Sequence, residues 1–282
     1  LLQWYDEHRR DLPWRRTRDP YAILVSEVML QQTQVDRVAP KYEEFLLRFP
    51  GFTELAKTPT AQVIRLWAPL GYNRRAVNLQ RVAREVVAHY GGTLPEEMKQ
   101  LRSLPGIGAY TAAALLCFAF GRDEAVVDTN VNRVLLRVEG IATASDTATR
   151  RIAADYLAHG HASEWNQALM DLGAAVCRAA VPACLLCPLR AECRSAGHVV
   201  REDRGPYRVA KQEPFTGSRR HLRGRIVEAL RRAENGIEMG DLAANLGLIE
   251  NHEERLTALV SALEADGLVQ VEKETGRVRL PE

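Results

Sequence analysis

The chain has 282 residues, with 38 Lys and Arg against 36 Asp and Glu for a formal net charge of +2. That length predicts two or three compact units, and an apolar share of 46% with ordinary Gly and Pro content excludes a disordered or fibrous chain. No apolar run approaches the roughly 20 residues of a membrane span. Leu1 opens an amphipathic pattern rather than a basic and apolar leader, so a soluble cytoplasmic protein is expected. Near-balanced charge does not by itself point to a polyanion. Local clusters at Arg9, Arg10, Arg15, Arg16 and Arg18, at Arg74 and Arg75, and at Arg219, Arg220, Arg223 and Arg225 are either solvated faces or contacts for one.

From residue 1 to about 198 the pattern is helical. Apolar positions recur at three and four over Ala22 to Val35, Ala61 to Leu66 and Ala76 to His89. Pro20, Pro40, Pro50, Pro59, Pro95 and Pro105 mark helix boundaries, joined by Gly51, Gly71 and Gly91-Gly92. Leu104-Pro-Gly-Ile-Gly-Ala-Tyr-Thr predicts a tight turn into a helix over Ala112 to Phe120, with Gly106 and Gly108 either serving a plain helix–helix turn or presenting backbone N–H groups to a phosphate. In Val126-Val-Asp-Thr-Asn-Val-Asn-Arg-Val, Asp128 is an N-cap, and a carboxylate at a helix start is also placed to stay ionised beside a developing cation.

Cys177, Cys184, Cys187 and Cys193 form C-x6-C-x2-C-x5-C, four of the five cysteines within 17 residues. In a reducing compartment disulfides are disfavoured, and four thiolates in one tight loop fit a [4Fe-4S] cubane better than zinc, which usually takes two separated pairs. Such a cluster would order a basic surface around Arg178, Arg190 and Arg194, with a redox role left open, while Cys117 sits in an apolar run as a core residue. Residues 199–218 suggest a linker. Beyond it, helices over Arg219 to Arg232, Met239 to Leu246 and His252 to Asp266 precede a hairpin made by Leu268-Val-Gln-Val-Glu and Arg277-Val-Arg-Leu around Thr275-Gly276. That order resembles a winged helix, a fold used by DNA readers and by protein-docking modules.

The hairpin, the following aspartate and the four-cysteine loop together resemble the endonuclease III superfamily over residues 1–198. Leu12-Pro-Trp, Ser26-Glu-Val-Met-Leu-Gln-Gln-Thr-Gln-Val, Leu70-Gly-Tyr and Met170-Asp-Leu-Gly-Ala are similar to MutY-type adenine glycosylases in particular. The resemblance implies a mainly α, helix-hairpin-helix DNA repair glycosylase. Its parts would be an iron–sulfur cluster subdomain (residues 1–19 and 131–198), a helical barrel subdomain carrying the hairpin (20–130), a linker (199–218) and a winged-helix-like domain (219–282).

It further implies that Glu27 protonates the adenine at N7 and that Asp128 faces the oxocarbenium-like sugar, supported by Tyr110 and Asn130. Leu30, Gln31, Gln32 and Tyr72 would probe or wedge the duplex around a flipped base, Gly106 and Gly108 would hold backbone phosphate, and Arg15 and Gln167 would line the adenine pocket. Tyr110 stands where bifunctional relatives carry a Schiff-base lysine, so base removal without strand cleavage is expected. The chain departs from the family pattern at Asn73, often a second Tyr, and after Ser218, where the usual nudix-like domain for 8-oxoguanine is not recognisable. The expected partner is mispaired duplex DNA, bound by a monomer associated with the nucleoid of a bacterial or archaeal cell, with no membrane. Two alternatives remain: a thymine or uracil glycosylase acting on G mispairs, and a non-catalytic iron–sulfur winged-helix regulator that binds DNA.

Overall fold

A computed structural model describes residues 1–197, 214–247 and 253–282. Residues 199–213 of the expected linker, and His252 at the expected start of a tail helix, lie outside these. The described chain is mainly α. Its helices are α1 (Leu2–His8), α2 (Pro20–Leu30), α3 (Val35–Arg48), α4 (Phe52–Lys57), α5 (Thr60–Trp67), α6 (Arg74–His89), α7 (Met98–Ser103), α8 (Ala109–Ala114), α9 (Thr129–Glu139), α10 (Asp146–Asp155), α11 (Ala162–Ala175), α12 (Arg219–Arg232), α13 (Met239–Leu246) and α14 (Glu253–Ala265). Strands β1 (Gln270–Val271) and β2 (Val278–Arg279) pair antiparallel, Gln270 with Arg279 and Val271 with Val278. The described residues divide into two compact units, one of 1–27, 95–103 and 107–197, the other of 28–94, 104–106, 214–247 and 253–282. No described helix is long and apolar enough to cross a membrane.

In the first unit the apolar stripe of α9 packs on α11, burying Val131, Val134, Leu135, Leu169, Leu172 and Val176 together. The two helices approach closely because position 173 has no side chain: a Cβ on Gly173 would lie 2.6 Å from the Cβ of Asn130. The N-terminal segment is pinned to α11 by polar bonds. Buried Asp171 accepts from Arg15 Nη1 at 2.7 Å, Arg15 Nη2 at 3.0 Å and Arg10 Nε at 2.6 Å, and the Tyr5 hydroxyl donates to Gln167 Oε1 at 2.5 Å.

The second unit departs from the sequence expectation at three places. Where periodicity predicts one helix over Ala22 to Val35, α2 ends at Leu30 and α3 begins at Val35, with Gln32 in the left-handed region at φ 55°. The guanidinium of buried Arg75 holds that break open: Nη1 donates to the carbonyls of Val28 (3.0 Å), Met29 (2.8 Å) and Gln31 (2.5 Å), capping the orphan acceptors at the helix end. Pro40, expected as a boundary, lies inside α3, where it forgoes one backbone bond without ending the helix.

The tail forms no clear winged-helix domain. Its strands have two residues each, with one isolated bridge between Ile237 and Val278. Its apolar faces share one core with Ile64 of α5 and Val77 of α6, so α12 to α14 belong to the same compact unit as residues 28–94. The amphipathic pattern of three helices and a ribbon does not say which other helices complete the core, and here α5 and α6 do.

Candidate active site

Glu27 sits in α2, whose residues from Tyr21 to Met29 are buried on every face, and it is itself only 7% exposed. A carboxylate there has lost its water. Burial pushes the Glu27 carboxyl from 4.5 up to about 7, and the nearby negative Asp128 adds to the rise, against a hydrogen bond from Tyr110 and the charge of Arg15. The Tyr110 hydroxyl is the donor in that bond, and burial together with the charges of Glu27 and Asp128 holds its own proton firmly. Tyr110 lies in the first turn of α8 and packs on Ala113, Ala114, Cys117, Val126, Leu157 and Ala162. The run expected as one helix over Ala112 to Phe120 instead passes from α8 into a wider π turn at Leu115–Ala119.

Asp128 caps α9. Its Oδ1 accepts from the Val131 N–H at 2.7 Å and its Oδ2 from Asn130 Nδ2 at 3.0 Å. Asn130 is oriented in turn, its Oδ1 accepting from Arg133 Nη2 at 2.7 Å, while the same guanidinium donates to the carbonyls of Gly173 and Cys177 at 2.8 Å each. The strand-like approach to Asp128 is set by Asn166, which accepts from the Val126 N–H at 2.9 Å and donates to the Glu124 carbonyl at 2.9 Å. Two carboxyls thus lie within electrostatic reach of each other in unlike settings. One is dehydrated and poised to hold a proton; the other is at a helix N-terminus with its oxygens already engaged by donors.

The family model for HhH-GPD superfamily base excision DNA repair proteins matches residues 25–159. An adenine DNA glycosylase of Mycobacterium tuberculosis is 41% identical over 288 residues, spanning 100% of this chain and 92% of that protein. The chain belongs to the adenine DNA glycosylase family. A thymine/uracil-DNA glycosylase of Methanothermobacter thermautotrophicus is 35% identical over 68% of this chain and 90% of its own length. Among solved structures, a thermostable thymine-DNA glycosylase aligns with TM-score 0.66 at 35% identity, covering 68% of this chain and 91% of that one. A non-covalent endonuclease III–DNA complex, TM-score 0.61 at 23% identity over 69% of this chain and 90% of that one, shares the fold.

In this glycosylase Glu27, Tyr110, Asp128 and Asn130 come together in the first unit, and Arg15 lies within electrostatic reach of Glu27. Of the residues expected to line the adenine pocket, Arg15 donates to Asp171 and the Arg10 carbonyl and lies over the Tyr5 ring, while Gln167 accepts from the Tyr5 hydroxyl and donates to Ser163 Oγ. For Asp171, burial pulls its pKa upward, but the hydrogen bonds and charges of Arg15 and Arg10 outweigh it and hold the carboxyl below its usual 3.8.

Leu30, Gln31, Gln32 and Tyr72 belong to the second unit. Tyr72 is 43% exposed at φ 45°, and Gln32 is exposed at φ 55°. Arg75 serves both turns, adding bonds to Thr33 Oγ1 (3.0 Å) and the Gly71 carbonyl (3.2 Å), and burial lowers its pKa to about 10. At the hairpin Gly106 has φ 79°, and a Cβ there would meet Asn78 Nδ2 at 2.8 Å; Gly108 is the extended cap of α8, with open space around it.

The cysteines require a correction. All four line one pocket with Arg137, Val176 and Arg190, yet among the described residues no group of three or more His, Cys, Asp or Glu is placed to hold a metal ion. Two of the sulfurs bond protein groups: Arg137 Nη1 donates to Cys177 Sγ at 3.5 Å, and Cys193 Sγ donates to the Arg137 carbonyl at 3.4 Å. Burial, together with the neighbouring cysteines, pushes the Cys187 and Cys193 thiols up. The expected [4Fe-4S] cluster is therefore not supported among the described residues.

Asn166, Arg133, Asp171 and Arg75 carry positioning roles that sequence reasoning missed. Asp171 and Arg133 stood inside recognised motifs and Arg75 in a basic pair, none with a positioning role, and Asn166 read as an ordinary helix residue, because their partners lie far away in sequence.

Proposed function

We propose that this glycosylase hydrolyses the N-glycosidic bond of adenine paired with guanine or 8-oxoguanine, leaving an abasic site and an intact strand. The supporting observation is the buried Glu27 carboxyl, hydrogen-bonded by Tyr110 and within electrostatic reach of the capped Asp128. With the base extruded, the proton of Glu27 passes to adenine N7, the C1′–N9 bond breaks, and its electron pair leaves with a base that is now neutral. The Asp128 carboxylate stabilises the cationic sugar. Water adds at C1′, and its released proton restores the acid form of Glu27, so the net reaction is hydrolysis. Tyr110 holds the Glu27 carboxyl in place and offers no amine to form a Schiff base.

Single-turnover excision on duplexes carrying A·8-oxoguanine, A·G, A·C, T·G and U·G tests this, each resolved with and without hot alkali. Strand breaks at adenine that require alkali are expected. Since a thymine-DNA glycosylase also aligns closely, processing of T·G with no action on any adenine mispair would replace the adenine assignment.

A further inference from the structure

The second unit carries an arrangement that the reaction above leaves unused. Arg220, in the first turn of α12, donates from Nη1 to the Tyr72 hydroxyl at 3.3 Å, and its guanidinium lies 5.1 Å from the ring centroid of Phe215. Phe215 is 55% exposed, although an apolar ring of that size is normally buried. It is nonetheless held. Ser218 Oγ donates to the Phe215 carbonyl at 2.7 Å, the His221 ring contacts Phe215 at 5.1 Å between centroids, and Arg255 donates to the Gly217 carbonyl at 3.2 Å. Arg219 and Arg220 stand exposed beside it, so an aromatic face and cationic groups are presented together.

The tail is fastened beside this position as well. Asn73, adjacent to Tyr72, accepts from Arg231 Nη2 at 2.8 Å through Oδ1, and Arg231 Nε also donates to the Ile64 carbonyl at 3.2 Å. Asp266 bridges Arg223 of α12 at 2.5 Å and Arg74 at 3.4 Å. A tyrosine at 73 would lack the amide oxygen that receives Arg231. Asn73 therefore ties α12 to the Tyr72 turn.

We propose that Phe215 and Arg220 extend the Tyr72 turn into a second DNA-contact surface, Arg220 holding a backbone phosphate and Phe215 stacking on a base or sugar unstacked next to Tyr72. The inference rests on the glycosylase reading, which makes Tyr72 a residue that meets the duplex. A polyanion with stackable faces matches both halves of the cluster: guanidinium for phosphate, exposed ring for nucleobase.

The test uses the full chain and a duplex carrying 2′-fluoro-2′-deoxyadenosine opposite guanine, a poor substrate that isolates binding. Arg220→Ala should weaken binding about tenfold and reduce the magnitude of the salt slope by about one. Phe215→Ala should weaken it about fivefold with the slope unchanged. Arg232→Ala, an exposed charge at the far end of the same helix, should leave binding within about twofold. With saturating enzyme, excision from the unmodified A·G duplex by Arg232→Ala should proceed at the parent rate. Affinities within about twofold of the parent for both Arg220→Ala and Phe215→Ala overturn the proposal, as does an equal loss in Arg232→Ala. Failure of the glycosylase reading is separate: the parent chain itself would then release no adenine.

Discussion

Replacing Glu27 by Gln removes a charge that the fold holds at a cost. The carboxyl rises from 4.5 to about 7 on burial. The folded protein therefore binds this proton more tightly than the unfolded chain, and the stabilisation it provides is full below about pH 4.5 and lost as pH rises through about 7. At about 1.4 kcal/mol per pKa unit, the ionised carboxylate costs about 3 kcal/mol of folding free energy at alkaline pH. Glutamine fills nearly the same volume, still accepts from Tyr110 and never ionises. Glu27→Gln should thus match the parent at about pH 4 in urea unfolding and exceed it by about 3 kcal/mol at about pH 8.5, while losing excision. Equal stabilities at the higher pH would mean that the carboxyl is hydrated in the folded protein, and the reason for its acidity role would be gone.

Three further outcomes are expected. Asp128→Asn keeps a side-chain oxygen for the Val131 N–H, so thermal stability should change by less than about 1 kcal/mol while single-turnover excision falls by about two orders of magnitude or more. Asp171→Asn leaves the Arg10 and Arg15 guanidiniums without their buried counter-charge and should cost about 3 kcal/mol in urea unfolding. Because the Asp171 pKa is depressed, the parent's advantage should be present above about pH 4 and fade as pH falls through the folded value. Gly173→Ala places a methyl 2.6 Å from the Asn130 Cβ, so α9 and α11 must separate; a loss of about 1–3 kcal/mol with slowed excision is expected, and an unaffected rate would show that Asn130 does not set the position of Asp128.

Local chemistry was the legible part of the sequence. The 3.6-residue stripe of α6, the capping signal of Asp128 and the Gly-x-Gly turn each depend on neighbours a few residues away, and each is found where the pattern places it. The motif around Glu27 was recognisable, but the cause of its raised pKa, an α2 buried on all sides, is a tertiary fact. The break after Leu30 was not legible, since its cause, Arg75, lies over 40 residues away and read as one half of a basic pair. The tail misled for a related reason: its own pattern is consistent with a self-contained domain, and only Ile64 and Val77 show that its core is shared. Spacing of four cysteines suggested a metal, and the four do line one pocket, but among the described residues no group of three or more His, Cys, Asp or Glu is placed to hold one.

The central claim, that Glu27 delivers its proton in the bond-breaking step, is tested most directly by the single-turnover excision rate from an A·G duplex between about pH 6 and 9. The account predicts a plateau below about 7 and a decline approaching tenfold per pH unit above it. A rate that stays level, or climbs, across that range would contradict it.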